Sequence, residues 1–61
     1  MEKMINKARE MTTDMILEAL TIIGGGNVHA EAGMARAAMI EVYMEREGEE
    51  AGDTLMDSLG L

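Results

Sequence analysis

The sequence lacks cysteine, so disulfides and thiolate metal sites are excluded and the redox compartment is left open. It also lacks proline, tryptophan and phenylalanine, and Tyr43 is its only aromatic residue. Strand-forming aromatic and β-branched residues are therefore scarce, and Pro-rich linkers are absent. There is one histidine, His29, and one serine, Ser58, which leaves little for a nucleophile–base pair. No uncharged apolar run approaches the ~20 residues needed to cross a bilayer. The first residues include Glu2 and Glu10 and hold no apolar core of a secretory signal. A cytoplasmic location, in the producing cell or a host cell, is the expectation.

What the chain does have is methionine, alanine, leucine, isoleucine and glutamate. Eight of its 61 residues are methionine, and 48% are apolar. Ala, Leu, Met and Glu are good helix formers, so the composition predicts an all-α protein. A chain this short has a thin core, and small domains commonly rely on oligomerisation. The fold class expected is a helical hairpin plus a short C-terminal helix, in a single domain spanning residues 1–61, assembled as a homo-oligomeric bundle.

Met4, Ala8, Met11, Met15, Ala19 and Ile22 recur at spacings of three and four, one face of a helix. The stripe keeps its phase from residue 2 to residue 23, predicting one helix about 33 Å long. "MTTD" (11–14) argues the other way, because Thr12 or Thr13 could cap a new helix with Asp14 in its first turn. The unbroken stripe favours the single helix, with residues 1–11 as an arm prone to fray. Gly24–Gly25–Gly26 then ends the helix and forms a turn over 24–27. Asn27 is the expected cap of a second helix over about 28–47, with Glu31 in its first turn. Gly48 ends it, a short helix follows over about 49–59, and Gly60 fits the position after its last turn.

The second helix carries two apolar stripes. Val28, Ala32, Ala35, Met39 and Val42 share one face, and Gly33, Ala37, Ile40 and Met44 lie roughly opposite. A helix apolar on two sides needs cover on two sides. One other long helix supplies half of it, so a second subunit is expected to supply the rest. The oligomer interface expected is Val28, Ala32, Ala35, Met39 and Val42, with Ile40, Met44, Met15 and Ile22.

The net charge of −7 is uneven. Lys3, Lys7 and Arg9 lie near the start, whereas Glu41, Glu45, Glu49, Glu50, Asp53 and Asp57 crowd the end. Such a surface repels phosphates, so direct binding of nucleic acid is not expected. A protein with a basic surface suits these six acids as a partner.

Other chemistry finds little support. A phosphate loop needs Lys and Ser or Thr after its glycines, and no base follows Gly26 until Arg36. The turn at Gly25, Gly26 and Asn27, with His29, is at most a weak anion site, and a flexible bend is the plainer reading. His29 has no second His or Cys in register, so it reads as a partly exposed histidine near a turn rather than a metal ligand. The paired acids lack the Glu-x-x-His of a di-metal bundle and the alternating ligands of an EF-hand. No cofactor, metal or catalytic residue is assigned, and an enzyme is not expected. The methionines either line an adaptable groove for partner helices or, more plainly, fill an oligomer core that has no aromatics. The expected function is a non-enzymatic interaction module, a small acidic homo-oligomer that binds or inhibits a protein partner. An inhibitor that covers a nucleic-acid site on a host enzyme would suit the charge. Chains of this make-up are common among accessory proteins of phages and other mobile elements. The alternatives are an assembly protein whose self-association is its function, and a small-ligand or anion binder using Gly24 to Asn27.

Overall fold

A computed structural model describes residues 2–61. Its elements are all helical: α1 (Glu2–Arg9), α2 (Thr13–Ile23), α3 (Ala30–Glu47) and α4 (Glu49–Ser58). The central element is α3, against which α1, α2 and α4 all pack.

The expected single helix over 2–23 is corrected to two. Thr12 has an extended backbone (φ −72°, ψ 159°), and its Oγ1 accepts the Met15 amide at 3.2 Å. It is the N-cap of α2, and Asp14 sits in the first turn where the helix dipole favours it. The amides of Glu10 and Met11 close a turn on the carbonyls of Lys7 and Ala8. Arg46, from α3, donates to the Arg9 carbonyl at 3.0 Å and to Thr13 Oγ1 at 3.3 Å. The carbonyls of Lys7, Ala8 and Arg9 and the Met15 amide, freed by the break, therefore have partners. Packing favours the break over the stripe. A straight helix of about 33 Å would overrun α3, the 18-residue helix it packs against, which is about 27 Å long.

The second correction concerns the start of α3. Its cap is His29, not Asn27: Nδ1 accepts the Glu31 amide at 3.3 Å, and the helix begins at Ala30 rather than Val28. The C-terminal signals read as expected. Gly48 (φ +99°) separates α3 from α4. Gly60 (φ +81°) follows α4, with its amide on the Asp57 carbonyl and the Leu61 amide on that of Met56. This pair of bonds is a Schellman motif.

The core is small. Ile16, Leu20 and Val42 are fully enclosed, and Ala8, Ala38, Met39 and Ile40 complete the buried set. Over its C-terminal half, both stripes of α3 find cover inside one chain. The Met39–Val42 stripe faces α1 and α2, while Ile40 and Met44 face α4, where Gly52 admits the Met44 side chain. The glycine run is a structural turn. Gly25 lies against the Leu59 carbonyl and the Gly60 backbone, leaving no room for a β-carbon. Arg36 Nη1 donates to the carbonyls of Gly24 (2.9 Å) and Gly26 (3.0 Å).

These contacts separate neighbouring residues that the sequence alone makes look alike. Thr12→Ala should cost about 1 kcal/mol, the usual value of an N-cap, and Asn27→Ala close to nothing. Gly25→Ala should cost about 1–3 kcal/mol through overpacking against backbone, whereas Gly26→Ala, with open space around it, should be nearly neutral. Urea unfolding of the four variants checks this. Equal losses at Gly25 and Gly26 would contradict the packing of the turn against the C-terminus.

Candidate interaction surfaces

Two surfaces stand out, on different parts of the molecule. The first is a groove of about 700 Å³ between α1, the start of α2 and the N-terminal half of α3. Met4, Met11, Met15 and Met39 supply its sulfur-rich wall, and Ala8, Ala32 and Ala35 keep it open. It exists because α3 is enclosed only over its C-terminal half. Ala38, Met39, Ile40 and Val42 are buried, but Ala32 and Ala35 are half-covered and Ala37 is exposed. Lys7, His29 and Glu31 stand on the rim. Lys3 and Lys7 flank a further hollow beside Met4 and Glu10. Among the described residues neither lysine forms an ion pair.

The second surface is the acidic one. Glu41, Glu45, Glu49, Glu50, Asp53 and Asp57 are all exposed, as expected. On α4 the residues that turn inward are Gly52, Leu55, Met56 and Leu59, spaced three and four apart. At ~100° per residue the four acids of α4 then share one flank, and Ala51, Thr54 and Ser58 take the other. Little basic charge offsets that flank, because the arginines are turned to other work. Arg36 holds the glycine turn and Arg46 holds the α1–α2 elbow. Arg9 pairs with Glu45, its Nη2 at 2.9 Å and Nε at 3.4 Å from the carboxylate.

The Arg9 guanidinium, through its hydrogen bond and charge, lowers the pKa of Glu45 from its ordinary value, and Glu45 in turn raises that of Arg9. Glu41 adds to the field on Arg9. A depressed carboxylate contributes stability above its unfolded pKa and loses it as pH falls through the folded one. Both side chains are in water, so the contribution is small and screened by salt.

The residues expected at an oligomer interface divide into two groups. Met39, Ile40 and Val42 are corrected to core positions, consumed within one chain because α1, α2 and α4 reach both stripes. Met44 is half-buried beneath α4, and Val28 is half-buried near Gly33. Ala32 and Ala35 line the groove, while Met15 and Ile22 are 51% and 79% exposed. Of the suggested anion turn, Gly26, Asn27 and His29 are exposed and Gly25 is packed against the C-terminal backbone. The contacts visible there are those of a scaffold. Among the described residues, no group of three or more His, Asp or Glu side chains is placed to hold a metal ion. No helix is long and apolar enough to cross a membrane, again among those residues.

Sequence reasoning raised a methionine-lined groove but did not place Met4, Met11 and Lys7 in one, because a straight first helix does not make it. It also missed the inward roles of Arg36 and Arg46. Their backbone partners lie 10 to 37 residues away, which no local pattern encodes. Comparison with protein-family models, curated proteins and solved structures found no match.

The Arg9–Glu45 pair gives a pH-dependent expectation. In a double-mutant cycle with Arg9→Gln and Glu45→Gln, a small favourable coupling should appear at pH 7. It should fade as pH falls through the lowered Glu45 pKa and in about 1 M salt. Urea midpoints of the four proteins at pH 7, at acid pH and in about 1 M salt measure it. Coupling unchanged by both acid and salt would show that the contact is not an ion pair.

Proposed function

We propose that this protein is a non-enzymatic interaction module that binds or inhibits a partner protein with a basic surface. The observation that carries the reading is the division of charge. The four acids on one flank of α4 have no cationic partner within 4 Å among the described residues, while all three arginines make hydrogen bonds within the chain. Exposed acids held on a packed helix form a fixed array rather than a floating tail. A negative array of this kind accelerates encounter with a positive one and selects against acidic partners. A basic protein surface that itself faces nucleic acid has the matching charge, and covering it would block that site.

The test is capture from native lysate at low and high salt. Wild-type protein should retain a basic partner at low salt and release it in about 0.5 M salt. The variant Glu49→Gln, Glu50→Gln, Asp53→Asn, Asp57→Asn should keep its helical circular dichroism and lose that capture. Retention of the same partner by the neutral variant would overturn the reading. The protein itself should give no mobility shift with duplex DNA at physiological salt, and a salt-sensitive shift would redirect attention to Lys3 and Lys7.

A further inference from the structure

The methionine groove lies apart from the acidic flank, since no residue of α4 lines it. Beside it runs an exposed ridge on α2. Met15, on the groove wall, and Ile22 are seven residues apart and therefore on one side of the helix. They are two of the four large apolar residues left exposed among the described residues, and Ile22, at 79%, is the most exposed of them. Their neighbours Asp14 and Glu18 are exposed too, so the ridge is apolar with an acidic edge. The groove has the opposite edge. Lys3 and Lys7 are exposed on α1, and neither has a carboxylate within salt-bridge distance among the described residues.

We propose that a second copy of this chain closes the groove, each copy laying its α2 ridge into the groove of the other. A two-fold axis does this economically, because ridge and groove are adjacent on one protomer and a single patch becomes its own complement. In this arrangement Glu18 of each copy meets Lys7 of the other. Two further acids face the same region, Glu10 beside Lys3 and Lys7 and Glu31 on the opposite rim. Glu31 sets the orientation, since the ridge acids must fall on the α1 side and away from it, while Glu10 offsets part of the lysine field there. Met4, Met11 and Met39 provide an unbranched lining that adapts to the inserted Met15 and Ile22. The need for cover is evident from the core, which has only seven buried apolar side chains among the described residues. A foreign helix would need the same two features, an apolar ridge and an acidic edge, and the chain already carries both. This inference is independent of the acidic-flank reading, because the two surfaces share no residue.

Sedimentation equilibrium of the full chain tests it. At about 100 µM the wild type should sediment at twice its 6.6 kDa mass. Lys7→Glu and Glu18→Lys should each weaken the dimer roughly tenfold, and the double swap should restore it to within about threefold of wild type. Met15→Glu, at a position half-exposed in the single chain, should keep the helical circular dichroism and sediment as a monomer. A wild-type monomer at that concentration overturns the proposal. So does a dimer indifferent to Met15→Glu, or a double swap no better than the two single changes combined. Partner capture through α4 is scored separately with the neutral variant, so failure of one reading leaves the other standing.

Discussion

The constraint behind this fold is that α3 is apolar on two sides and has only 43 other residues with which to cover them. A single long helix laid beside it would cover one stripe. The chain instead divides its first half at Glu10–Thr12 and returns α4 over the far stripe. Ending a helix frees backbone groups, and each end here has a recipient. Thr12 caps α2, Arg46 takes the carbonyl of Arg9, and the Schellman turn closes α4. What the break gains is a second short helix placed against α3, with Ile16 and Leu20 enclosed and Ala8 drawn into the same cluster.

The parts of this arrangement legible in the sequence were those encoded locally. Helical class and the stops at Gly24, Gly48 and Gly60 follow from spacing and backbone preference within a few residues. The elbow was half legible. "MTTD" carried the cap, yet the stripe from Met4 to Ile22 stayed in phase across it. A phase-preserving break leaves periodicity unchanged, so the Thr12 cap is the one local mark against a straight helix. The cap of α3 went to His29 because the turn must place Gly25 against Leu59, and a helix starting at Val28 would consume the residues that span the distance. The groove depended on the elbow and was hidden with it. The acidic surface was legible in full, because exposed charge needs no tertiary information to be exposed.

Charge in the folded chain is sorted by residue type. Arginine, with its planar fork of donors, is used to tie carbonyls and one carboxylate across helices, at the glycine turn and at the elbow. Lysine, a flexible point charge, is left at the surface of α1. Of the five bases only two therefore contribute freely to the outer field, and both stand near the groove. The formal charge of −7 thus understates how one-sided the field is near α4. It also overstates the repulsion at the groove, where the nearest unpaired charges include both lysines.

The same shortage that makes the core thin also shapes the surfaces. Without phenylalanine or tryptophan the chain fills space with methionine, which adapts its shape easily but fixes it poorly. Where α2, α4 and both stripes of α3 converge, the fit is complete and Val42 and Ile16 are sealed. Toward the N-terminal half of α3 the side chains shrink to alanine and glycine, the cover thins, and the methionines of α1 and α2 are left facing a gap. Closing that gap with a second copy leaves α4 outside the contact. The dimer would then carry two acidic flanks on one rigid body, and a partner with two basic sites would meet the second flank at the effective concentration set by that body. Self-association and partner binding would in that case reinforce each other, although neither shares a residue with the other.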